Sequence, residues 1–227
     1  FEQGLWLPEV AELCIPRLLR ALRVNLEDIG VTFSEQCAVN AVAVKDGRLV
    51  GVQTEQGLIR GEQVIIAGGA WSSKLLGELG YPIAIEPVKG QMLLFKADPA
   101  LLHRILLYKG HYLIPRRDGH ILAGSTLELC GYDKQATVKG HEELRQAAFE
   151  LVPSLENCPI EKQWAGLRPG SLTGIPYIGE HPEISGLFIN SGHFRNGVVL
   201  GLASARLLAD LLLDREPILE PFAYRWD

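Results

Sequence analysis

Cysteine is scarce and unpatterned. Cys14, Cys37, Cys130 and Cys158 form no CxxC pair, and 227 residues are too many for a fold that depends on disulfides, so free thiols in a reducing cytoplasm are expected. Long apolar runs are missing too: none approaches the roughly 20 residues of a membrane span. Charge is nearly balanced, with 22 Lys+Arg against 27 Asp+Glu, and the basic residues are scattered. That pattern lacks the footprint of a nucleic-acid or anionic-membrane partner. The six histidines (His103, His111, His120, His141, His181 and His193) show no HxH or HExxH spacing, which argues against a metal site. GxSxG is absent, so a serine hydrolase fails at its first requirement. Met92 is the only methionine, and neither an initiator nor a signal peptide opens the chain; the expectation is a piece of something longer.

What is present describes a soluble globular protein, 47% hydrophobic and long enough for two lobes. Ile15, Leu18, Leu19, Leu22, Leu26 and Ile29 recur at helical spacing, with Gly30 as a stop. Segments 39–44 and 49–54 flank KDG, and 58–60 follows, which predicts a small antiparallel meander. The apolar run 64–67 before two glycines predicts a buried parallel strand, a tight turn and a second helix. Beyond Pro87, alternating runs and the Asp118-Gly119 turn predict a separate, mostly antiparallel sheet. A helix bearing Leu144, Ala147, Ala148 and Leu151 would cover it. The last segment reads as a strand, a glycine loop and a helix whose inward stripe is Leu200, Ala203, Leu207 and Leu211.

Three stretches have residues suited to chemistry. In GHFRNG, Gly192 and Gly197 flank Arg195 just before a helix, where free backbone N–H groups with positive partial charge favour an electron-rich ligand. The same glycines would also suit a plain strand-to-helix connection. In WAGLRPG, Arg168 sits between glycines and before Pro169, on a stiff segment; its planar guanidinium suits bidentate capture of a carboxylate. In GHYLIPR, Tyr112 lies in a strand, where packing alone would also explain it.

Taken in order, GLWLPEVAELCIPRLLRAL, IIAGGAWSSKL, PVKGQML, YLIPRRDGHILAGST, WAGLRPG, PYIGEHP and GHFRNGVVL resemble the flavin-dependent D-amino-acid oxidase family across essentially the whole chain. Within that family they look most like the bacterial glycine oxidases of thiamine biosynthesis. The resemblance implies an α+β / α/β fold, in which an incomplete FAD-binding Rossmann-like domain (14–88 and 168–227) joins a mostly antiparallel substrate-binding domain with a covering helix (89–167). It implies FAD as cofactor. Val39 would approach the adenine half, Ala67, Gly68, Gly69 and Trp71 would line the dinucleotide groove, and His193, Phe194, Arg195, Asn196, Gly197, Val198 and Val199 would hold the flavin ring. Arg168 would bind the substrate carboxylate with help from Tyr112 and Arg195, while Leu127 would shape the pocket. The implied reaction is hydride transfer from the substrate α-carbon to flavin, hydrolysis of the imine to an oxo acid, and reoxidation by O2 with release of H2O2. No catalytic acid or base is expected, because orientation does the work once the amine is neutral.

The family's GxGxxG unit, which cradles the cofactor pyrophosphate, occurs nowhere in these residues. Weak or absent FAD binding and little activity are therefore expected of this piece alone, and its uncovered sheet surface predicts association between copies. Two alternatives stand beside the oxidase. One is a D-amino-acid dehydrogenase delivering electrons to a membrane acceptor; the other is a non-catalytic carboxylate-binding module.

Overall fold

A computed structural model describes residues 3–226. Helix α1, Ile15–Asp28, starts with proline in its first turn, where the missing N–H costs nothing, and ends as Gly30 takes a φ of 91°. The apolar spacing that predicts this helix also predicts a buried face, but none of its residues is buried, and Leu18, Leu19 and Leu22 point outward. Strands β1 (Val39–Lys45), β2 (Arg48–Thr54) and β3 (Gly57–Arg60) form the expected antiparallel meander in that order. Asp46 and Gly47, both at positive φ, make the tight turn between the first two.

Strand β4, Val64–Ile66, belongs to a second three-stranded sheet. It continues through a short 3-10 turn at Gly69–Trp71 into helix α2, Ser72–Gly77. The strand is parallel, as expected, but it is not buried on both faces: Ile66 is 5% exposed and Ile65 46%. As the sheet's edge strand it has one face packed and the other open.

The largest sheet has five antiparallel strands: β5 (Ile85–Lys96), β6 (Leu106–Tyr108), β7 (His111–Pro115), β8 (His120–Gly124) and β9 (Ile160–Ser171), in the order β6-β7-β8-β5-β9. Helix α3, Val138–Leu151, lies across it and is capped by Thr137, whose Oγ1 accepts the Gly140 N–H at 3.1 Å. Leu144 and Ala148 on this helix meet Leu93, Phe95, Leu113 and Ile121 from the sheet. Each large apolar side chain fully buried there contributes about 2 kcal/mol. Strands β5 and β9 run unbroken past residues 88 and 168, which pair with each other, so the two predicted domain limits fall inside one ladder.

Strands β10 (Tyr177–Glu180) and β11 (Leu187–Ser191) complete the second sheet, in the order β10-β11-β4. Ile66, Leu76, Ile85, Leu187 and Ile189 make its core, which Val42 and Leu49 of the meander join. Helix α4, Gly197–Leu212, packs Leu207 and Leu208 on Ile178 and Phe188. Its buried stripe differs from the predicted one. Leu207 is inside and Leu211 half-buried, but Leu200 and Ala203 are exposed, and Ser204, Leu208 and Asp210 are buried instead. Only the C-terminal half of the helix docks, and two polar residues go inward because each has a partner. Ser204 Oγ lies 2.8 Å from His193 Nε2, and Asp210 accepts from Arg206 Nε at 2.8 Å. Among the described residues no helix is long and apolar enough to cross a membrane.

Candidate active site

Arg168 lies on β9 opposite Val88 of β5, and its guanidinium rests over Gly90. A Cβ at position 90 would come within 2.1 Å of Arg168 Nη1, so the absence of a side chain there makes the room. Arg168 Nη2 donates to Ser125 Oγ at 2.7 Å and Nη1 to the Thr126 carbonyl at 3.4 Å. Among the described residues no carboxylate forms an ion pair with it. Burial pushes its pKa down; the neighbouring Tyr112 acts in the opposite sense and the Arg195 cation in the same one. Tyr112 on β7 faces Gly124 of β8, and a Cβ at 124 would sit 2.8 Å from its ring and 2.3 Å from Met92 Sδ. Its hydroxyl donates to Met92 Sδ at 3.3 Å.

The turn between β11 and α4 is stitched to the end of β9. Phe194 N–H donates to the Pro169 carbonyl at 2.9 Å, and His193 forms a β-bridge with Gly170. Gly192 at φ 90° and Phe194 at φ 48° bend the chain sharply enough to do this. Arg195 is thereby brought to Arg168, and the two line one cavity of about 280 Å³ with Lys109, Ser125, Thr126 and Leu127. His111 and Glu143, 3.3 Å apart, stand in the same wall. Asn196 offers no side-chain cap to α4, so the first amides of the helix, at Gly197, Val198 and Val199, stay available beside Arg195. Val198 and Val199 are exposed. The His193 ring points the other way, to Ser204, and burial pushes its pKa down, which favours the neutral imidazole.

The turn after β4 comes to the same end of the sheet. Ser72 Oγ is 3.0 Å from Ser191 Oγ, which donates to the Gly69 carbonyl at 3.0 Å. Ala67, Gly68, Gly69 and Trp71 therefore lie beside the start of the 191–197 turn, where the parallel strands β4 and β11 both end. Trp71 is 40% exposed and stacks obliquely on Tyr132. Val39 stands apart: it opens β1 in the meander and lies outside the Arg168 cavity. Larger cavities, of about 480 Å³ by β10 and about 640 Å³ between α3 and the β6–β7 hairpin, contain neither Arg168 nor Arg195. The chemistry therefore points to the smaller one. Sequence reading misses Gly90, Met92, Ser125, Thr126 and the Ser72–Ser191 pair, because small residues acquire such roles only from strand register.

Two parallel strands ending in glycine turns, beside an antiparallel sheet that presents an arginine, give the place at the carboxyl ends of parallel strands where open α/β sheets bind their ligands. A model of the family described as FAD dependent oxidoreductase (DAO) matches residues 1–211. A glycine oxidase of Pseudomonas aeruginosa is 49% identical over 225 residues, covering 99% of this chain and 62% of its own length. The bifunctional protein ThiO/ThiG of Nostoc sp. is 35% identical, with 97% of this chain and 34% of that protein aligned. Among solved structures, glycine oxidase from Geobacillus kaustophilus superposes with a TM-score of 0.87 at 31% identity, over 93% of this chain and 57% of that one. The chain belongs to the FAD dependent oxidoreductase family, and it spans about three-fifths of the P. aeruginosa relative.

Proposed function

We propose that the whole protein oxidatively deaminates glycine or another small amino acid, consuming O2 and water and releasing an oxo acid, ammonia and H2O2. The observation that supports this most is Arg168 and Arg195 lining one small cavity beside the uncapped start of α4. In this reading Arg168 grips the substrate carboxylate. Arg168 and Arg195 outnumber Glu143 around the cavity, Lys109 being paired with Glu150 at 2.9 Å, and their field stabilises the bound carboxylate while favouring the neutral amine that the reaction needs. The Tyr112 hydroxyl assists the clamp, and Leu127 limits the size of the side chain admitted.

The residues fit a flavin. Gly192 and Phe194, in left-handed conformations, bend the chain into the start of α4, and the amides of 197–199 suit an electron-rich ring edge. His193 through Val199 would hold that ring, Ala67 to Trp71 would border the dinucleotide, and the Val39 backbone would approach its far half. FAD, when bound, supplies the two-electron acceptor for the substrate Cα–H. In domain terms, 14–88 and 168–227 serve the cofactor and 89–167 the substrate.

The test is peroxide and oxo-acid formation from glycine, sarcosine and D-alanine by the full-length, FAD-loaded protein. Arg168→Ala is expected to raise KM about 100-fold while leaving flavin content unchanged, because a charged hydrogen-bonding partner is lost. Unaltered KM in that variant removes Arg168 from the clamp. Turnover with an artificial electron acceptor but none with O2 assigns the dehydrogenase alternative.

A further inference from the structure

Arg168 is oriented by two neutral acceptors, Ser125 Oγ and the Thr126 carbonyl, and both belong to the loop that leaves β8. The same loop contains a carboxylate, Glu128, two residues beyond Thr126, which ties the loop to β5. Lys89 on β5, 2% exposed, brings Nζ to 3.3 Å from Glu128 Oε2 and 3.5 Å from Asp133 Oδ2. Lys89 and Glu128 also exchange both backbone hydrogen bonds, at 2.9 and 3.0 Å. Glu128 Oε1 is occupied by Thr126 Oγ1 at 2.6 Å and Gln91 Nε2 at 2.7 Å.

Burial alone would push the Glu128 pKa up, but the hydrogen bonds from Thr126 and Gln91 and the Lys89 ammonium outweigh it and hold the carboxylate below its ordinary range. The group is therefore charged and sequestered at neutral pH. An ion pair between a buried lysine and partly exposed carboxylates adds little to stability compared with an apolar residue at the buried position, so packing does not explain a lysine there.

We propose that the Lys89–Glu128 pair is a positioning device for the substrate clamp: it fixes the loop whose Ser125 and Thr126 aim the guanidinium. Neither residue touches the substrate in this scheme. The inference rests on the reading of Arg168 as the carboxylate clamp.

The experiment uses the full-length, FAD-loaded enzyme with glycine as substrate and acetate as a competing carboxylate. Lys89→Met is expected to raise the glycine KM and the acetate inhibition constant roughly 10-fold, with kcat and flavin content within about two-fold of the parent, as for removal of a supporting partner. The discriminating result is rescue by the conservative variant: Lys89→Arg, which keeps the cation opposite Glu128, stays near the parent, whereas Glu128→Gln raises KM as Lys89→Met does. A Lys89→Arg variant no better than Lys89→Met overturns the proposal, as does an unchanged KM. Parallel loss of flavin and kcat, or failure of Lys89→Met to fold, shows that the pair serves the fold and also overturns it. Arg168→Lys runs alongside; if its KM is normal, the clamp reading itself fails, whereas a raised KM there with none in Lys89→Met sinks this inference alone.

Discussion

Position 90 shows how much of the candidate site depends on atoms that are missing. The Arg168 guanidinium occupies the volume that any side chain there would claim, with Nη1 only 2.1 Å from an added Cβ. On the proposed reading of Arg168 as the clamp, Gly90→Ala is expected to displace the guanidinium and raise the glycine KM of the full-length protein about 10-fold, without loss of flavin, since the three atoms nearest the added methyl all belong to Arg168. Steady-state kinetics with flavin absorbance checks it, and an unchanged KM would mean that Arg168 swings aside at no cost. At this scale the sequence is legible where a residue's chemistry is unusual for its setting. An arginine between glycines and before a proline, as at 168, announces itself, and so does Arg195 inside GHFRNG. Gly90, Ser125 and Met92 give no such signal, because their roles arise from cross-strand neighbours up to 78 positions away.

Periodicity locates most elements, and its failures have physical causes. The meander, the covering helix and the five-stranded sheet follow from alternation, helical spacing and turn residues. The apolar run at β4 promises burial on both faces, yet an edge strand receives cover only where a neighbour exists. The α4 stripe is misread by about one residue, because a count of apolar positions cannot anticipate that Ser204 and Asp210 will find partners inside. Strands β8 and β9 also contain a pH-dependent tie. His120 lies between Asp118 and Glu161, with nitrogens 2.9 and 2.8 Å from their oxygens, and Asp118 first and Glu161 second raise its pKa above the ordinary 6.5. A raised folded value means that the stabilisation is full below pH 6.5 and is lost as pH rises through the raised value. Melting temperatures of the parent and of His120→Gln should therefore differ at about pH 5.5 and converge by about pH 9. A difference independent of pH would show that the imidazolium is not what matters.

Among the described residues the molecule has three apolar clusters, but it leaves other apolar surface in water. Leu202 and Val199 on α4 are 84% and 83% exposed, Leu19 on α1 60%. Surfaces of this kind favour association. The 227-residue chain is expected to self-associate, and Val199→Lys with Leu202→Lys to reduce the effect; light scattering against concentration measures both. A monodisperse monomer in the parent would show that these faces are tolerated in water.

Two short backbone links join the end of β9 to the turn before α4: the Phe194 N–H to the Pro169 carbonyl, and the bridge between Gly170 and His193. They act as a ruler that contains no side chain. The gap between the anchoring cation and the neighbouring ring of amides is set by main-chain lengths, so Leu127 can be exchanged for larger or smaller residues without resetting it. If the proposed reading of this site holds, an engineer seeking a different amino acid there can vary the wall and leave the gauge alone.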